Sequence, residues 1–176
     1  MQDIAFNLIG ESVMVEEKDK EALRVADRMR ALCSRREYCS ADILKKAAAA
    51  LDGDRVKAAE IVARLIDEKY VDDLRYASAY ARDKSSIAGW GEAKIRYMLS
   101  SKGISKDIVA MAFGNVDENK ATDRLEKLMD NKARSLKGDP QARLKMLRFG
   151  MGRGYMYEDV AEVTDRILER WKDSED

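Results

Sequence analysis

Three apolar positions recur at a fixed interval in this chain: Leu44, Ile95 and Met146 stand 51 residues apart. The same offset superimposes Ala47 on Met98 and Phe149, and Ala48 on Leu99 and Gly150. It also carries Lys102-Gly103-Ile104 onto Arg153-Gly154-Tyr155. A unit of roughly 50 residues buries little apolar surface alone and must stack on a neighbour. The repeat therefore predicts an all-α chain: three tandem three-helix repeats stacked into an elongated modular array. A single up-down helical bundle is the alternative.

Punctuation along the chain agrees with helices of ordinary length. Leu23, Ala26, Met29, Ala31 and Leu32 follow helical spacing up to Cys33. Ser40 is a suitable N-cap for a second helix, ended by Asp52-Gly53, and Asp54 caps a third along Val56, Ala59, Ile61, Val62, Leu65 and Ile66. Asp72-Asp73 starts the next helix, which Gly89-Trp90-Gly91 breaks. A helix with Ile95, Met98 and Leu99 stops at Lys102-Gly103, and Ser105 caps a short one ending at Gly114-Asn115. The third round begins at Asp117, turns at Gly138-Asp139-Pro140, stops again at Gly152-Arg153-Gly154, and closes with a helix over about 158–172. The expected organisation is an irregular segment 1–19 and repeats at 20–70, 71–116 and 117–176.

Composition narrows the chemistry. With one proline in 176 residues, helix interiors are almost uninterrupted. Histidine is absent, which removes the commonest general base, the commonest metal ligand and every Ser-His or Cys-His arrangement. Two cysteines, Cys33 and Cys39, can supply neither a disulfide framework nor a structural zinc site. They read as inert thiols. A non-enzyme without metal or cofactor is expected. No apolar run is long enough for a membrane span, and the N-terminus lacks the order of a signal peptide, so a reducing cytoplasm is the expected home.

The formal net charge is zero, yet it is unevenly spread. Residues 74–106 hold seven Lys/Arg against Asp83 and Glu92, and residues 140–157 hold four bases with no acid. Residues 158–176 hold eight acids against three bases. Two basic blocks in equivalent places of the repeat suit a polyanion or an acidic protein face.

Other groups read as structural. Asp72 and Asp73 at a helix start are capping residues rather than a carboxylate pair for catalysis or metal. Tyr76 and Tyr80 share a helix face, and Trp90 between glycines is a packing anchor rather than a stacking platform. Gly150, Gly152 and Gly154 lack the preceding strand and following Lys-Ser/Thr of a phosphate loop.

The middle repeat carries a more specific pattern. Tyr70-Val71-Asp72-Asp73-Leu74-Arg75-Tyr76-Ala77 is followed by Tyr80-Ala81-Arg82-Asp83-Lys84, Gly89-Trp90-Gly91, Lys94-Ile95-Arg96, Leu99 and Lys102-Gly103-Ile104. This order and spacing resembles the central signature of the RecX family, regulators of the RecA recombinase. Ser34-Arg35-Arg36-Glu37-Tyr38-Cys39-Ser40 and Arg153-Gly154-Tyr155 agree with it in the outer repeats. The resemblance implies a monomer lying in the groove of the RecA–single-stranded-DNA filament, bridging successive recombinase subunits. Strand exchange, ATPase and filament growth would slow, with no bond made or broken by the regulator. The candidate contacts to the filament or its DNA are Arg82, Lys84, Lys94, Arg96, Lys102, Arg143, Lys145, Arg148 and Arg153. The alternative is a helix-turn-helix protein that acts directly on duplex DNA.

Overall fold

A computed structural model describes residues 2–114 and 118–173. All regular structure among these residues is helical: α1 (Gln2–Cys33), α2 (Ser40–Ala50), α3 (Arg55–Asp67), α4 (Asp73–Ser86), α5 (Glu92–Ser101), α6 (Lys106–Phe113), α7 (Glu118–Arg134), α8 (Ala142–Gly152) and α9 (Tyr157–Asp173). The all-α expectation holds. None of the described helices is long and apolar enough to cross a membrane. The expected helix start at Asp117, and with it the boundary between 116 and 117, lies outside the described residues.

One expectation is corrected at the N-terminus. Residues 1–19 were expected to be irregular, but α1 begins at Gln2. Proline is absent from this stretch and Gly10 is its lone glycine, so no residue type forces a break.

The chain divides into two compact units, Met1–Tyr76 and Ala77–Asp176. In the first, α1, α2 and α3 close around Val25, Met29, Ile43, Ala47, Ile61, Leu65 and Val71. Each fully buried Ile, Leu or Met of such a cluster stabilises the fold by about 1.5–3 kcal/mol. The buried stripe of α3 is Ala58, Ile61, Val62 and Leu65. Val56, expected on that face, is 72% exposed. Nine residues at 100° each place it on the opposite side of the helix from Leu65.

Caps explain where the helices start. The Asp54 carboxylate accepts from the backbone N–H groups of Val56 and Lys57 at 3.1 and 3.0 Å, as expected of an N-cap. Ser40 does not cap α2. The N-cap position belongs to Cys39, which has no side-chain cap bond, and the acceptor comes from far along the chain. Asp73 accepts from the Ser40 N–H and from the Ser40 hydroxyl, both at 2.7 Å. Asp72 caps locally, taking the Arg75 N–H at 3.0 Å. The aspartate pair is thus structural, and one member works at a distance.

Nearby, the Arg75 guanidinium donates to Glu37 at 2.6 Å. Cys39 is fully buried. Burial, with Glu37 close by, pushes the Cys33 thiol above its ordinary range, which keeps it protonated and unreactive near neutral pH.

In the second unit α7, α8 and α9 close around Leu125, Met129, Met146, Leu147, Val160, Val163 and Ile167. Ile95, Leu99, Ile104 and Val109 of the α5–α6 segment are also buried. Gly150 belongs to this core because a Cβ there would stand 2.6 Å from the Val160 side chain.

Replacing Asp73 with Ala removes both acceptors from the start of α2. Urea denaturation of Asp73→Ala is expected to show a loss of about 1–2 kcal/mol. An unchanged midpoint would reject the distant cap.

Candidate functional site

All nine candidate basic residues fall in the second unit. Their surroundings separate them into groups that net charge alone does not distinguish.

The first group builds a junction between the start of α5 and the end of α8. The Gly91 N–H donates to the Arg153 carbonyl at 2.8 Å. The Lys94 ammonium donates to the Gly152 carbonyl at 3.0 Å and stands 4.7 Å from the Trp90 ring centre. Arg153 reaches the other way, donating to the Ala88 carbonyl at 2.5 Å while its guanidinium lies 5.0 Å over Phe149. The last carbonyls of α8, which carry partial negative charge, thus meet a cation and a free amide. No side chain fits between the two backbones. A Cβ on Gly91 would lie 2.2 Å from the Gly154 oxygen, and one on Gly154 would lie 2.3 Å from the Lys94 Cβ. Gly154 also has φ +88, a region that favours glycine. Lys94 and Arg153 are therefore positioning residues here, each committed to a backbone carbonyl.

The second group is neutralised by acids. Arg143 makes two parallel bonds to Asp165 at 2.7 and 3.0 Å, and Lys145 bonds Asp139 at 2.5 Å. Asp165 holds the Arg143 guanidinium firmly charged, and its own carboxyl is pushed below the usual carboxylate range by that contact. The acid-free stretch 140–157 is thus met by acids just outside it. On α5, Arg96 pairs with Glu92 at 2.5 Å and packs 4.5 Å over Phe113.

In the third group, Arg82, Lys84 and Arg148 have no strong carboxylate partner among the described residues. Arg82 is exposed, and its nearest acid is the adjoining Asp83 at 3.5 Å, a surface pair of little energetic weight. Lys84 is half-buried with its ammonium 5.4 Å from the Tyr80 ring and 5.1 Å from Trp90. Arg148 is exposed and has no partner among the described residues. Lys102 is half-buried near the Tyr80 phenol, whose proton loss burial disfavours and Lys102 favours.

Two features escaped the sequence reading. Arg124 of α7 donates to the Ser85 hydroxyl of α4 at 2.7 Å. Beside it lies a cavity of about 410 Å³ whose walls include Arg82, Trp90, Phe113, Arg124 and Tyr155. These residues come from distant parts of the chain, and no periodic signal links them. Tyr155 alone could have been suspected, as the register partner of Ile104.

Residues 72–112 match the family model of the second three-helix domain of RecX. Regulatory protein RecX of Clostridium tetani is 32% identical over 108 residues, which cover 59% of this chain and 49% of that protein. The chain thus spans about half the length of that relative. The RecX protein of the Alaska strain of Clostridium botulinum is 28% identical over 186 residues, covering 95% of this chain and 87% of the relative. A crystal structure of regulatory protein RecX superposes with a TM-score of 0.76 at 20% identity, covering 91% of this chain and 77% of the other. RecX from Lactobacillus salivarius gives 0.74 at 19% identity, covering 85% and 97%. At these identities the structures speak for the helical fold.

The junction makes opposite predictions for two neighbouring glycines. Gly91→Ala should destabilise the protein by about 1–3 kcal/mol through forced backbone movement. Gly152→Ala, which meets open space at the end of α8, should be neutral or stabilise by up to about 1 kcal/mol. Thermal melts that rank the two alike would contradict the packing described.

Proposed function

Because this chain belongs to the RecX family of regulatory proteins, we propose that it binds the RecA–single-stranded-DNA filament in its groove. Binding there bridges recombinase subunits, slows the filament's ATPase and blocks strand exchange, and so modulates recombination and repair. The protein acts as a cytoplasmic monomer, without catalysis of its own. The division into repeats 20–70, 71–116 and 117–176 is part of this reading. It is supported by the two helix triplets α1–α3 and α7–α9, each closed on its own core, and by the family match between them.

One observation carries the proposal. The matched segment 72–112 contains Arg82, Lys84, Lys94, Arg96 and Lys102, and among them Arg82 keeps its charge for solvent beside the half-buried Lys84. Cations that are not neutralised within the protein are the ones able to displace counterions from a phosphate backbone. On this ground Arg82, Lys84 and Arg148 lead the contact set. Arg143 and Lys145 are secondary, since breaking their ion pairs opposes any new contact.

The test uses filaments assembled from the recombinase of the same source on single-stranded DNA. Wild-type protein should co-sediment with them, and affinity should fall as salt rises. Arg82→Glu combined with Arg148→Glu should weaken binding about ten-fold and flatten the salt dependence, with the fold intact by circular dichroism. Arg143→Gln with Lys145→Gln should change affinity less than about three-fold. Failure of the wild-type protein to co-sediment rejects the reading, and full affinity in the folded double reversal rejects the contact set.

A further inference from the structure

The cavity beside Arg124 has the features of a binding site rather than of a packing gap. At about 410 Å³ it falls within the range of pockets that hold small organic ligands. Three aromatic residues, Trp90, Phe113 and Tyr155, contribute to its walls.

Its charge is one-sided. Arg82 and Arg124 line it, and the one acid in its wall among the described residues, Glu92, is already bonded to Arg96. Arg124 is half-buried, and its hydrogen-bond partner among the described residues is the neutral hydroxyl of Ser85. A guanidinium withdrawn from water without a carboxylate is normally compensated by an anion. The Lys84 and Lys94 ammonium groups close to Trp90 raise the local positive potential further.

Aromatic walls beside arginines that have no strong carboxylate partner among the described residues match one ligand chemistry: a flat base carried on a phosphate. Each nucleobase offers a face for stacking, and each phosphate suits the planar fork of a guanidinium. We propose that this cavity binds a nucleotide unit, with the base held among Trp90, Phe113 and Tyr155 and the phosphate drawn by Arg124 and Arg82. The occupant is an unstacked nucleotide of single-stranded DNA. The inference rests on the filament reading only for the source of that strand.

The experiment uses the full-length protein without recombinase, so its outcome is separate from that of filament binding. A short oligothymidylate carrying 5-iodouracil is photo-crosslinked and the site is read by mass spectrometry. Crosslinks are expected on Trp90, Phe113 or Tyr155. Affinity, followed by fluorescence anisotropy, should fall about ten-fold in Arg124→Gln. Ser85→Ala separates binding from scaffolding: it removes the hydrogen bond but leaves the charge, so affinity should stay within about two-fold of wild type. Thymidine monophosphate distinguishes free nucleotide from strand. Competition only at far higher concentration than the oligomer assigns the site to the strand, and equal competition assigns it to free nucleotides, with the same chemistry. Crosslinks confined to α8, undiminished affinity in folded Arg124→Gln, or equal losses in Arg124→Gln and Ser85→Ala would overturn the proposal.

Discussion

Much of the second unit is organised around a contact between two stretches of backbone, where Gly91 at the start of α5 lies against Gly154 just past the end of α8. A single amide-to-carbonyl bond of 2.8 Å and two missing side chains bring these segments together. Trp90, Lys94 and Arg153 owe their placement to it. Lys94 and Arg153 cross the junction in opposite directions, each ending on a carbonyl of the other segment. Trp90, Gly91 and Tyr155 then stand together in the wall of one cavity. Loosening the junction would therefore disturb both the cationic surface and the cavity.

Electrostatics follows from the same packing. Read along the chain, residues 140–157 are as promising as residues 74–106, because neither stretch contains many acids. Folding changes that comparison. Asp165 of α9 takes up Arg143 and Asp139 takes up Lys145, whereas Arg82 has among the described residues no acid nearer than its own neighbour. The acidic last segment is thus partly a neutralising partner for α8 rather than a separate feature. Such exposed pairs contribute little stability individually, but they decide which charges remain for a ligand.

Local chemistry was the part of this structure legible in the sequence. Asp54 and Ser105 cap where their residue type and position say they should, and Gly53, Gly103 and Gly154 all take positive φ at helix ends. The 51-residue register was informative about burial, since Ile95, Leu99, Met146 and Gly150 are all buried. What could not be read are pairings across long separations. Asp73 caps a helix that starts 33 residues earlier, and Arg124 meets Ser85 across 39 residues. A periodic pattern reports one helix face at a time and carries no trace of its partner. For the same reason the carbonyls that Lys94 and Arg153 reach could not be read, and Val56 passed for core.

The proposed function is that this helical protein occupies a recombinase filament, through cations that have no strong carboxylate partner among its described residues. The most direct measurement is the single-stranded-DNA-dependent ATPase rate of the cognate recombinase, followed as the protein is added below one copy per recombinase subunit. The account predicts progressive inhibition at these ratios, relieved by salt and by the Arg82→Glu, Arg148→Glu pair. A rate that stays constant up to equimolar protein would contradict it.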